Sequence, residues 1–156
     1  MYRLFLHAFL LSLIVLPIIL LPACPQPPAA AQVLRIIDGD TIVIEGGHYV
    51  RYIGIDAPEK DESYYSEAKE ANRKLVQGKN VRLEKDTSDK DKYGRLLRYV
   101  YNDDVFVNAE IIKQGYAYAK AYPPDTKYQA YLQAMESAAR ENRAGMWAQK
   151  QARLSD

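Results

Sequence analysis

Beyond residue 32 the chain alternates before it turns helical. The segments "VLRII" (33–37), "TIVIEG" (41–46) and "HYVRYIGI" (48–55) are rich in β-branched and aromatic residues, and Gly46 and Gly47 separate the second from the third. This pattern predicts three short strands with a hairpin-type turn. In "SYYSEAKEANRKLVQG" the period changes. Ala68, Ala71, Leu75 and Val76 recur at helical spacing, Ser63 or Ser66 stands where an N-cap belongs, and Gly78 sits where a helix stops. Alternation returns in "NVRLEKD" (80–86), with Val81 and Leu83 on one face and Arg82 and Glu84 on the other. A charged loop, "TSDKDKYG" (87–94), leads to a further strand, "RLLRYVYN" (95–102). A short helix is expected from Asn108 to Gly115, then an extended "YAYAKAY" halted by Pro123 and Pro124. The last element reads as a helix with Tyr128, Tyr131, Leu132, Met135 and Ala139 on one stripe.

The order β-β-β-α-β-β-α-α gives five short strands with a helix after the third. A closed Greek-key barrel removes exposed strand edges. The fold class expected is therefore α+β: a five-stranded OB-fold-type β-barrel with about three helices packed on it.

The first 23 residues do not belong to that fold. Arg3 is followed by an almost unbroken apolar run, the layout of a secretory signal. "LPAC" at 21–24 looks like a lipobox with Cys24 as the lipidated residue, "AAAQ" at 29–32 offers an A-x-A cleavage site, and about 20 apolar residues also suffice for an uncleaved anchor. The reading is an exported protein: secreted, periplasmic or membrane-anchored. Residues 1–23 form the signal or anchor, 24–32 a Pro/Ala-rich linker, 33–150 one domain and 151–156 a flexible tail. Cys24 is the sole cysteine, so the domain has no internal disulfide.

Charge narrows little. Of 21 Lys and Arg, Arg3 lies in the leader, which leaves 20 against 20 Asp and Glu. Bulk charge gives no argument for a nucleic-acid partner, so the argument must come from local arrangement.

Four charged clusters interrupt the elements: Asp38 with Asp40, Arg51 within its strand, Asp56 with Glu59, and Asp91 with Arg95. Hard oxygen donors without His or Cys suit Ca2+ or Mg2+ rather than zinc. A two-carboxylate Ca2+ site stays empty at cytosolic levels and fills at roughly millimolar levels outside cells. Taken singly, each aspartate reads more readily as a turn acceptor, and Arg51 as a snorkelling side chain or a partner for an acid. Together, two arginines and a divalent cation on one phosphodiester would stabilise the extra charge of a pentacovalent transition state, with Glu59 acting on the attacking water. One tension stands against convergence. In a regular strand Arg51 and Asp56 point to opposite faces and lie roughly 16 Å apart.

The stretches "IIDGDTIVI", "VRYIGIDAPE" and "DKYGR" resemble the staphylococcal (micrococcal) nuclease, or thermonuclease, family. The likeness runs over nearly all of 33–147, including "VNAEIIKQGYA" and "AARENRAGMW". It implies a Ca2+-dependent phosphodiesterase acting on DNA and RNA, preferably single-stranded or unpaired, and leaving 3′-phosphate ends. By that resemblance Asp40, Asp56 and the backbone carbonyl of Ala57 are metal ligands, and Asp38 supports them from behind. Arg51 and Arg95 grip the phosphate, Glu59 is the general base, and Lys92 and Tyr93 contact a terminal phosphate. Tyr116, Tyr118 and Tyr122 compete as base-stacking residues, with Tyr122 preferred. Two departures are visible: the family often has Thr where Ala57 stands, and the loop "KDESYYS" is short. The expected protein is a monomer. The alternative is a non-catalytic OB module that binds nucleic acid or protein, which would bind single strands independently of Ca2+. His48 is expected at the surface, Trp147 as an anchor of the last helix on the barrel, and "EKDTSDKDK" as a solvated loop.

Overall fold

In the computed structural model, which describes residues 29–148, the first strand β1 (Ala30–Ile36) starts inside the stretch read as linker. Ala31 is 1 % exposed and pairs with Val81, so composition alone misplaced this boundary: an alanine small enough for a linker is also small enough for a barrel seam. The leader, Cys24 and the tail at 151–156 lie outside the described residues.

β1 is followed by β2 (Thr41–Ile44), β3 (Tyr49–Tyr52), β4 (Ile55–Asp56), α1 (Tyr65–Val76), β5 (Asn80–Glu84) and β6 (Leu96–Asn102). Then come β7 (Val105–Phe106), α2 (Val107–Lys113), β8 (Tyr118–Ala119) and α3 (Gln129–Glu141). The sheet runs β3-β2-β1-β5-β6-β7, and a parallel pairing of β3 with β6 closes its first five strands into a mixed barrel. β4 and β8 make a separate two-stranded ribbon.

Closure explains the burial pattern. Every residue of β2 is buried, and Ile42 and Ile44 point into the barrel core. Val33, Ile42, Val50, Val81, Leu96 and Val100 meet inside, and Ala68 and Val76 of α1, Ile111 and Ile112 of α2 and Leu132 of α3 join the same core. No helix among the described residues is long and apolar enough to cross a membrane.

Three local expectations change. Neither Ser63 nor Ser66 caps α1; Tyr64 holds that position at φ 68° with no side-chain cap, and its ring packs with Trp147, Met146 and Ala139. Tertiary packing there outweighs the capping preference. Tyr131 leaves the α3 stripe, is 51 % exposed and stacks on Phe106. Trp147 anchors α3 chiefly to the α1 entry and to β8, where it meets Tyr118 edge-on at 5.4 Å. His48 is exposed as expected.

Candidate active site

The site grows from the β1–β2 turn. Asp38 Oδ1 accepts the Asp40 N–H at 3.0 Å, the Asx turn that short-range chemistry favours. Gly39 has no positive φ, so the turn itself does not require glycine. A Cβ at this position would instead lie 2.6 Å from the Ala57 Cβ and 2.9 Å from the Ala68 Cβ. Room, not conformation, demands the glycine. Fully buried Asn72 of α1 ties the turn down: it donates to the Asp38 carbonyl at 2.9 Å and accepts from the Tyr52 hydroxyl at 2.9 Å.

Asp40 is 5 % exposed. Its Oδ1 accepts from Thr41 Oγ1 at 3.2 Å, and its Oδ2 from the Ala57 N–H at 2.7 Å. Burial pushes the carboxyl up to about 7; the Arg51 charge opposes this and Asp38 reinforces it. Register delivers Arg51, since it lies opposite Thr41 across β2 and β3. Its Nη1 is 2.9 Å from Asp40 Oδ2 and its Nη2 is 3.1 Å from Asp56 Oδ1, so one guanidinium bridges both carboxylates.

The parity problem between Arg51 and Asp56 disappears at Gly54. There φ is +78°, β3 ends, and β4 departs to pair with β8. Asn108, buried in α2, donates to the Ile53 carbonyl and accepts from the Val100 N–H, fixing the corner. Asp56 returns to Arg51 because the strand does not continue.

Arg95 reaches the cleft from the loop before β6. Asp91 Oδ1 accepts the backbone N–H groups of Tyr93 and Arg95, and its Oδ2 pairs with Arg95 Nε at 2.7 Å. The loop is more anchored than a solvated stretch. Buried Arg98 pairs with Asp89 at 2.7 Å, and buried Asp125 accepts the Ser88 N–H at 2.7 Å. Lys92 and Tyr93 are exposed beside Arg95, Tyr93 by 72 %.

On the far wall β8 leads into Lys120 and Tyr122. Lys120 Nζ lies 2.7 Å from Asp56 Oδ2, and the Tyr122 hydroxyl makes a long 3.4 Å contact with Asp56 Oδ1. Among the three competing tyrosines, Tyr122 lines the cleft. Glu59 is exposed on the cleft wall and donates its backbone N–H to Glu62 Oε2. Asp38, Asp40, Arg51, Asp56, Glu59, Lys92, Tyr93 and Arg95 thus share one cleft of about 790 Å3 with Lys120 and Tyr122.

The family described as "Staphylococcal nuclease homologue" matches residues 49–149. The chain belongs to the staphylococcal nuclease family. The chain is 38 % identical to a thermonuclease of Staphylococcus intermedius, over 74 % of this chain and 74 % of that protein. It is 38 % identical to an uncharacterized endonuclease of Haemophilus influenzae, over 89 % of this chain and 78 % of the relative. It is 40 % identical to endonuclease YncB of Bacillus subtilis, over 72 % and 59 %.

The cleft also has the chemistry of a site for a hard cation. Its donors are all oxygen, and a divalent cation would offset the burial that raises Asp40. Among the described residues no group of three or more His, Cys, Asp or Glu gathers for a metal, so a cation would rest on Asp40 and Asp56 with backbone oxygen and water. At Asp40 the Ala57 group engaged is its N–H. Sequence reading missed Lys120, Asn72 and Arg98. The last two did carry a signal: Asn72 is four residues from both Ala68 and Val76 on the buried face of α1, and Arg98 shares strand parity with Leu96 and Val100.

Proposed function

We propose that the chain is an exported, Ca2+-dependent nuclease that hydrolyses phosphodiester bonds of DNA and RNA, preferring unpaired strands and leaving 3′-phosphate ends. The observation that carries this reading is the bridging of Asp40 and Asp56 by Arg51, in a cleft shared with Arg95 and Glu59. In this reading Asp40, Asp56 and the Ala57 carbonyl hold Ca2+, and Asp38 fixes the Asp40 backbone. When bound, the cation supplies positive charge against the negative charge that develops on the phosphate. Arg51 and Arg95 present N–H groups to the phosphate oxygens, and Glu59 orients the attacking water and takes its proton. Lys92 and Tyr93 face a neighbouring phosphate, and Tyr122 offers a ring to a base.

The apolar leader supports export. Cleavage after Ala31 would remove residues that pair with β5, which favours processing upstream, at or before Cys24. The test is digestion of single-stranded DNA, duplex DNA and RNA by the full chain in mild detergent, switched between millimolar Ca2+ and EGTA. Cleavage is expected in Ca2+ and none in EGTA. Binding of single strands without cleavage in either condition would instead identify a non-catalytic OB module.

A further inference from the structure

The bridge between Asp40 and Asp56 is not closed by Arg51 alone. Asp40 and Asp56 already hold two cations, Arg51 on both carboxylates and Lys120 on Asp56. The two cations are held very differently. The Arg51 side chain is 13 % exposed and bonded to Asp40, Asp56 and the Tyr52 carbonyl. Lys120 is 50 % exposed, and its ammonium rests on Asp56 Oδ2 beside the Tyr122 ring, 5.3 Å from its centroid. Its backbone is fixed, because its N–H donates to the Gly54 carbonyl at 2.9 Å, next to the β4–β8 ribbon.

A divalent cation arriving at Asp40 and Asp56 would need carboxylate oxygens that Arg51 and Lys120 already occupy and would repel both, so one resident cation must yield. Arg51 cannot leave without stranding a buried carboxylate. Lys120 can, because its strongly hydrated ammonium sits at the end of a flexible four-carbon stem. Its fixed base keeps the released ammonium within the cleft that Arg95 and Tyr93 also line.

We propose that Lys120 exchanges partners: it neutralises Asp56 in the free protein, yields Asp56 Oδ2 to an entering divalent cation, and then pairs with a phosphate of the bound nucleic acid. This rests on the Ca2+-dependent reading above. It makes Lys120 a positioning residue whose loss affects the two ligands in opposite directions.

The test uses the full chain with Lys120→Met and Lys120→Arg. Calorimetric titration with Ca2+ alone reads the first exchange. Fluorescence anisotropy of a single-stranded DNA oligonucleotide at saturating Ca2+, in a Glu59→Gln background to suppress cleavage, reads the second. Lys120→Met is expected to bind Ca2+ about threefold more tightly. The same variant is expected to bind the oligonucleotide roughly fivefold more weakly, with a salt slope shallower by about one. Lys120→Arg should stay near the parent in both titrations. A purely structural role would weaken both ligands together, and that result, or no change in either titration, overturns the proposal. If the unsubstituted chain takes up no Ca2+, the metal reading fails and this inference fails with it. If it takes up Ca2+ and Lys120→Met binds no tighter, only the inference falls.

Discussion

The two arginines of the cleft stand in opposite kinds of surroundings. Arg51 lies on a barrel strand, 13 % exposed, between two carboxylates and behind a turn secured by buried Asn72 and Tyr52. Arg95 lies at a loop end, 32 % exposed, paired with Asp91 only four residues away. The first half of the site is part of the barrel's own packing, whereas the second is a locally closed loop set against it. Machinery built into a core cannot be altered without cost to stability, while machinery on an anchored loop can.

The sharpest way to break this contrast is to remove each guanidinium in turn. Arg51→Gln is expected to lower turnover by more than about 10³-fold and to cost about 3 kcal/mol of stability, because Asp40 loses its buried partner. Arg95→Gln is expected to lower turnover by roughly 10² to 10³-fold, with stability changed by less than about 1 kcal/mol. Steady-state kinetics and urea unfolding measure both, and equal destabilisation by the two variants would end the distinction.

A smaller effect tests why the inner half is tight. Gly39→Ala places a methyl group against Ala57 and Ala68 and is expected to cost about 2 kcal/mol. Adding Ala57→Gly should recover part of that loss, with a coupling of at least about 0.5 kcal/mol in a double-mutant cycle. Strict additivity would show that Gly39 matters for some reason other than this contact.

The smallest effect belongs to the outer half. Burial works to raise the Asp91 carboxyl, but the Arg95 guanidinium and the N–H groups of Arg95 and Tyr93 outweigh it and hold the carboxyl below its ordinary value. A carboxylate lowered in the folded state contributes stability above its unfolded value, and that contribution is lost as the pH falls through the lowered folded value. Asp91→Asn should therefore weaken the protein at pH 7 and match the parent near pH 2. An undiminished difference at low pH would assign the effect to hydrogen bonding rather than charge.

Much of this was legible beforehand, for identifiable reasons. The β-branched run at 41–44, the alternation in 80–84 and the helical stripes through Ala68 and Leu132 gave the elements, because side-chain shape and one-sided burial leave their mark directly on the residues. The candidate residues were legible because charges inside apolar runs stand out. Their convergence was not. The 16 Å estimate for Arg51 and Asp56 assumed a continuous strand, and the corner at Gly54 depends on Asn108, which approaches from α2. Lys120 was invisible for a similar reason, since it is 64 residues from the aspartate it holds.

The sequence by itself determined the element types, the alternation that closes a barrel, and the oxygen and guanidinium chemistry of the nuclease motifs. These follow from local period and side-chain type, which the chain carries residue by residue. Only the tertiary structure decided that "IDGDT" needs its glycine for space, that Ala31 belongs to the barrel, and that Asp56 is shared between Arg51 and Lys120. Each of those depends on a contact between distant segments, and a contact acquires its energy only once the intervening chain has folded to bring its two sides together.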